Sequence, residues 1–522
     1  MSKVSEMLKS SGSMGLATMI SRLLGMVREM VYASFMGDTA VASAFKLAFQ
    51  IPNLFRRLLG EGALTAAFIP IFKNKEALEG ENAAWQTANV ILSGLLLVSG
   101  IIVILVLLGI SFVLQFIELA PDTWLVLSLL RIMFPYMLLV CVAAVLIGMA
   151  NSRGYFFVPA MSATMLNVVT ITTVLCIVPY VGKTLNQQIY ALAYAILVAG
   201  VAQSSFVIPL LHKQGFRFKW INPIGNTVVK AVIKKMIPGT LGVAAFQINV
   251  LLISGFSFFV SDYIVASFDY AVRLMELPQG VFGISLATWM LPTLSAFASR
   301  KQYSEFRTTL VDGLGYLAFI NVLAGVLLVV LAEPIIRLLF ERGAFGEVAT
   351  QRSALALMCL APGLVFFSSV NILARAFFAL GDTKTPAKIS ILCLGANLVI
   401  SLILVFRFRQ AGLGIANTLT SFLNMIFLSM ALKRQLSKLD FTPLKQIAIK
   451  LLLIGGLTAI IVWRIHKLWF DKVGCDYIWE RLGEVFVPAL IGSIFYLIGA
   501  CILKLPQVGR IQELISSKLL NR

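Results

Sequence analysis

Arginine stands in this sequence where an apolar chain should exclude it. Arg22 and Arg28 lie in the first apolar stretch, the pair Arg56 and Arg57 in the second, and Arg273 in a similar stretch of the second half. A charge at membrane depth costs at least ~2.5–3.5 kcal/mol, so such a residue usually faces a wet cavity and serves a function. The guanidinium fork grips phosphate through paired hydrogen bonds. These positions point to a protein that holds or moves something phosphorylated.

Other polar residues accompany the arginines at helical spacing. Lys46, Gln50, Asn53, Arg57 and Glu61 fall at i, i+4, i+7, i+11 and i+15, which keeps them on one helix face. Arg56 flanks that face, and Arg57 and Glu61 are spaced to pair. Pro52 in its middle predicts a kink or local opening. Polar groups in such number cannot face lipid, so the stripe reads as a cavity wall, with an interhelical salt-bridge stripe as the alternative. Ser21, Gly25 and Arg28 share a face of the first segment, with Arg22 about 120° away around the helix. Snorkelling to an interface is the other reading of Arg28. Asp269, Arg273 and Glu276 stand at i, i+4 and i+7, as a cavity face or as a self-neutralising cluster. Pro278 and Gly280 just beyond predict a broken helix.

The elements that position these residues follow from composition. The chain has 522 residues, of which 59% are hydrophobic and 13% charged, and its mean hydropathy is +0.91. Soluble domains carry about 25% charged residues. The fold class is therefore an all-α polytopic membrane protein, since β-barrels show weaker, alternating patterns. Fourteen apolar segments, from 12–35 and 40–72 to 446–466 and 483–503, are each long enough to cross a bilayer. Alternate loops carry 25 Lys and Arg against 8 in the opposite set. That asymmetry predicts both termini in the cytoplasm. The net charge of +19 has the same origin, so no nucleic-acid partner is expected.

A weak internal repeat runs through the chain. Gly154 and Pro159 precede the fifth span as Gly381 and Pro386 precede the eleventh, 227 positions later. Arg57, Glu61 and Pro70 in span two resemble Arg273, Glu276 and Pro292 in span eight. Two six-span repeats around a substrate site are a transporter architecture. They predict an N-lobe over 1–220, a C-lobe over 221–440 and a C-terminal helix pair with tail over 441–522. Gly154, Pro159, Gly381 and Pro386 then become gate candidates. The six cysteines form no metal spacing. His212 and His466 read as isolated interfacial residues. No P-loop, HExxH or GxSxG motif is present, so no enzyme activity, cofactor or metal is expected, and no residue is assigned a catalytic role.

Five stretches carry a family resemblance: SRLLGMVRE (Ser21–Glu29), IPNLFRRLLGEGALTAAFIP (Ile51–Pro70), YAVRLMELPQGVFGISLATWMLPTLS (Tyr270–Ser295), LLFERGAF (Leu338–Phe345) and GDTKTPAKI (Gly381–Ile389). The sequence resembles the MurJ/MviN family of bacterial lipid II flippases over nearly its whole length. The resemblance implies the fold of the MOP exporter superfamily, with two six-helix lobes around a central cavity and two further C-terminal helices forming a lipid-facing groove. It implies as substrate the undecaprenyl-diphosphate-linked MurNAc-pentapeptide-GlcNAc, moved by alternating access in the bacterial inner membrane. Membrane phospholipids and cell-wall synthesis proteins are the other implied partners. The family's cavity arginines match Arg22, Arg28, Arg56 and Arg273, and Ser21, Arg57, Glu61 and Glu276 match further family positions. Ser43 stands where some members carry an acid, and Gln50 where a cavity lysine is found, with Lys46 one turn earlier. The family's carboxylate-containing sodium site has no convincing counterpart. A flippase for another polyprenyl-diphosphate-linked glycan and a MOP-type small-molecule exporter are the alternatives.

Overall fold

The structure is a computed structural model and describes residues 3–60, 63–437 and 439–507. Every regular element among them is helical. Ten helices are long and apolar enough to span a membrane, or eleven with Glu347–Leu360 and Gly363–Ala379 taken as one span bent by 46°. This count covers the described residues and rests on length and composition. The outward faces of these helices are apolar. On Glu81–Phe116, Ile104, Leu105, Leu108 and Phe112 are all exposed. Such a surface belongs in hydrocarbon, where backbone polar groups must be satisfied within the helix.

The Lys384–Gln435 helix breaks at Arg409, whose φ of 51° and ψ of −129° are not helical. That break separates two of the fourteen apolar segments, one on either side of Arg409. Other segments are broken where the sequence carries proline. Pro135 separates Pro121–Met133 from Tyr136–Ser152, and Pro362 separates Glu347–Leu360 from Gly363–Ala379. Proline has no N–H for the ladder and its ring crowds the preceding turn.

The chain folds as two compact units, Met1–Phe258 and Phe259–Arg522. They repeat one another in local detail. In the first, Ala40–Phe55 runs into a π-helical turn, Arg56–Gly60, and then Ala63–Glu79. In the second, Ile264–Pro278 runs into a π-helical stretch, Gln279–Ile284, and then Ser285–Ser299. Pro135 and Pro362 are 227 positions apart, as Gly154 and Gly381 are. Gly154 and Gly381 end matching helices with φ of 83° and 79°. Gly154 N–H donates to Asn151 O and Tyr155 N–H to Ala150 O, each at 3.0 Å. Gly381 N–H donates to Phe378 O and Asp382 N–H to Phe377 O, each at 3.0 Å. These are left-handed glycine caps that satisfy the last carbonyls of a helix.

Each unit has a core at corresponding helix ends. Phe68, Phe72, Trp85, Met149 and Phe216 pack in the first unit. Met290, Leu294, Phe306, Phe377 and Leu432 pack in the second. Thr442–Lys472 and Ile478–Ile502 form a C-terminal pair joined to the second unit, where Tyr496 OH donates to Phe319 O at 2.8 Å.

Candidate functional site

The first two helical stretches form a tight hairpin. Gly37 takes a φ of 59°, and Thr39 caps Ala40–Phe55 by accepting the Ala42 N–H at 3.3 Å. The turn brings residues 17 positions apart side by side. Glu29 sits at its centre, 4% exposed. Its Oε1 accepts a hydrogen bond from Arg28 NH2 at 2.6 Å, and its Oε2 accepts one from Lys46 Nζ at 3.5 Å. Arg28 is held from a third side. Its NH1 donates to Asn167 Oδ1 at 3.0 Å, while Asn167 Nδ2 donates to Ser21 O at 3.3 Å. The Arg28 guanidinium carbon lies 5.5 Å from the centre of the Tyr32 ring.

Further along the second stretch, Arg56 Nε donates to Asn53 Oδ1 at 2.7 Å. Arg56 and Arg57 are both half-buried within the π-helical turn. Pro52 does not break the helix where it stands. The α-helix continues to Phe55, and the ladder widens only at Arg56. Lys46, Gln50 and Asn53 thus keep their common face, whereas a wheel drawn through to Arg57 misplaces it, because the π-turn changes the residue count per turn. Ser43 and Lys46 are buried, and Gln50 and Asn53 half-buried. Arg22 is exposed on the first helix. Glu61 lies outside the described residues.

Charge decides what this constellation can do. Arg28 and Lys46 share one carboxylate. Arg56 and Arg57 follow ten and eleven residues beyond Lys46, so the two stretches together present several cations. Such a surface attracts an anion with more than one charge.

Arg273 belongs to the other unit and has different surroundings. Its NH1 donates to Glu276 at 3.0 Å and its NH2 to Asp269 at 3.4 Å. The predicted pairing is present, and two acids flank one cation. The side chain is 35% exposed, which weakens both pairs through solvent screening. The π-helical stretch Gln279–Ile284 begins just after Pro278, where the sequence predicts a break. Gly154 and Gly381 are exposed, and Pro159 and Pro386 are buried in the helices that follow.

Sequence reasoning misses Glu29 and Asn167. Glu29 is visible in the sequence only as the end of a motif. Asn167 has a readable signal, since Asn167, Thr170 and Thr173 form a polar run in an apolar segment, and all three are buried. The reading of His466 as isolated is corrected as well, because its Nδ1 lies 3.6 Å from Glu484 Oε1.

The family model described as "Lipid II flippase MurJ" matches residues 32–475. A protein of Buchnera aphidicola (subsp. Acyrthosiphon pisum), named "Probable lipid II flippase MurJ", is 31% identical over 505 residues, covering 94% of this chain and 96% of its own length. A protein of the same name from Vibrio cholerae is 32% identical over 445 residues, covering 82% and 83%. Among solved structures, lipid II flippase MurJ in an inward closed conformation superposes with a TM-score of 0.75 at 23% identity, covering 94% of this chain and 98% of that one. An inward-facing MATE transporter of the MOP superfamily superposes at 0.67 with 16% identity, covering 81% and 96%. These two likenesses show the fold.

Proposed function

Because this chain belongs to the MurJ family of lipid II flippases, we propose that it carries lipid II from the cytoplasmic to the outer leaflet. The substrate is undecaprenyl-diphosphate-linked MurNAc-pentapeptide-GlcNAc. Its diphosphate cannot cross ~30 Å of hydrocarbon with its charge unsolvated. The observation that carries the reading is the buried Arg28–Glu29–Lys46 cluster in the first hairpin, with Arg56 and Arg57 further along the same stretch. Arg22, Arg28, Arg56 and Arg273 replace the hydration of the diphosphate. Lys46 and Glu29 set the position of Arg28. Ser21, Ser43, Gln50, Asn53, Arg57 and Glu61 line the path, as Asp269 and Glu276 do beside Arg273. The polyprenyl chain stays in lipid.

Transport proceeds by alternating access between two lobes, with the helix ends at Gly154 and Pro159 and at Gly381 and Pro386 as the inner gate. The matching glycine caps support that assignment, because they give both lobes the same local geometry. Both termini face the cytoplasm, in line with the 25-to-8 cation asymmetry. An inside-negative potential favours outward movement of the anion by ~2.3 kcal/mol per charge per 100 mV. No covalent chemistry is needed. The test is the accessibility of lipid II on the outer leaflet in cells depleted of this protein and complemented with wild type or Arg28→Ala. Full outer-leaflet labelling with the variant at wild-type level would overturn the assignment of Arg28. Unchanged lipid II labelling after depletion alone, with another polyprenyl-diphosphate glycan lost from the surface, would replace the substrate.

A further inference from the structure

The C-terminal helix pair contains an ionic network that the transport reading does not use. Glu484 on Ile478–Ile502 is fully buried. Its Oε1 accepts a hydrogen bond from Arg337 NH1 at 2.9 Å and lies 3.6 Å from His466 Nδ1. Its Oε2 and the His466 Nδ1 are both buried with no hydrogen-bond partner among the described residues. Arg337 serves two more acids, Glu333 and Glu341, and Arg481 also contacts Glu341 at 3.3 Å.

We propose that Glu484 and His466 form a proton-binding site that takes up one proton from solvent. Two guanidinium groups, Arg337 and Arg481, face three carboxylates, Glu333, Glu341 and Glu484. With a neutral imidazole the network carries one excess negative charge, and a single bound proton removes it. Uptake forms an N–H on His466 Nδ1 or an O–H on Glu484 Oε2, so either of the two unpartnered atoms can hold it. The geometry favours the pair over the other acids. Glu333 is 46% exposed, and Glu341 has both Arg481 and the Thr350 hydroxyl, the latter at 2.7 Å. Glu484 shares its only cation and has no access to water of its own. A buried carboxylate so placed favours a proton on itself or on the nearest base.

The groups facing the pair from the neighbouring elements are Glu333 and Arg337 on Ala332–Phe340, Glu341 after it, and Arg481 on the same helix as Glu484. Cys475 faces it from the connecting turn, and burial pushes its thiol up, so it stays protonated beside the network. Phe470 covers Arg337, with its ring centre 5.7 Å from the guanidinium carbon. This proposal does not depend on the identity of the transported lipid.

The chain has two histidines, so the full-length protein in lipid nanodiscs with labelled histidine gives two ring signals. His212→Gln identifies which is His466. The His466 signal should shift as one proton is bound on acidification. Glu484→Gln should lower the proton affinity of His466 about tenfold or more. An infrared difference spectrum of the wild type between the neutral and the acidified state should show a carboxyl band that His466→Gln displaces. That measurement stands if Glu484→Gln does not fold. A ring that remains neutral as the Nδ1–H tautomer throughout, with no carboxyl band, would overturn the site. An identical His466 titration in wild type and Glu484→Gln would do the same.

Discussion

Glu29 makes the strongest claim that can be tested by substitution. Its carboxylate bridges Arg28 and Lys46, with side-chain exposures of 5%, 16% and 8% for Glu29, Arg28 and Lys46. At an effective dielectric constant of about 20, one contact near 4 Å is worth roughly 4 kcal/mol before desolvation is counted. Removing one partner of a buried pair costs about 3–5 kcal/mol, because an uncompensated charge is left behind. Glu29→Ala removes the carboxylate that both cations touch and should lose about that much stability. Arg28→Ala keeps the Glu29–Lys46 contact and should lose less than half as much. The two variants should therefore both fail to restore lipid II labelling on the outer leaflet, for different reasons. Glu29→Ala fails with lowered stability, and Arg28→Ala fails while folded. Adding Lys46→Met to Glu29→Ala removes one of the two cations that touched Glu29 and should recover roughly 1–3 kcal/mol, read as coupling in a double-mutant cycle. Thermal unfolding in nanodiscs gives the stabilities. Equal stability of Glu29→Ala and Arg28→Ala would refute the reasoning, since it would mean that the carboxylate does not balance the two cations.

The other expectations are independent of that cycle. Arg273→Ala should abolish complementation at normal membrane levels, and Arg273→Lys should restore it only in part, because the fork is lost; full activity of the alanine variant would remove Arg273 from the site. Gly154→Ala and Gly381→Ala should each cost about 1–2 kcal/mol, because both positions hold a left-handed backbone; a cost at one position alone, measured by thermal unfolding, would contradict their equivalence. Asp382 accepts the Lys384 and Thr385 N–H groups, each at 3.0 Å, and the bond with Thr385 holds its carboxyl below the usual range. Its contribution is present above the ordinary aspartate range and is lost as pH falls through the lowered value, so Asp382→Ala should flatten the acid limb of the stability profile. Cysteine probes near Arg153 and Arg300 should label from the cytoplasm, and those near Asp122, Gly346 and Cys475 from outside; the reverse pattern would invert the topology.

The helices and their breaks are readable in the sequence because they depend on local chemistry. Apolar length defines the segments, and Pro135, Pro278 and Pro362 mark where they break. Helical spacing places Asp269, Arg273 and Glu276 within bonding reach. What the spacing cannot give is contact across a turn. Glu29 and Lys46 meet because of the hairpin at Gly37 and Thr39, and no periodicity links them. The same limit hides Asn167, which reaches Arg28 from a distant segment, and Glu484, which meets Arg337 from the last one. The π-turn at Arg56 is a further case. Proline announces a disturbance, but the backbone accommodates it a turn later, where Leu58 and Gly60 offer no marker of their own.

The two arginine settings, one in each unit, differ in the acids that surround them. A cationic site that binds an anion equally tightly in both states shifts no equilibrium. Arg273 sits between Asp269 and Glu276, so an approaching diphosphate must compete with two carboxylates already engaged. That competition lowers the affinity of the second unit's contribution without removing its geometry. Asp269→Asn then becomes informative in the opposite sense to the arginine variants. Freeing Arg273 from one competitor should tighten the binding of a soluble diphosphate probe several-fold and slow its release. If Asp269→Asn weakens binding instead, the carboxylate serves to position Arg273 and the exchange argument fails.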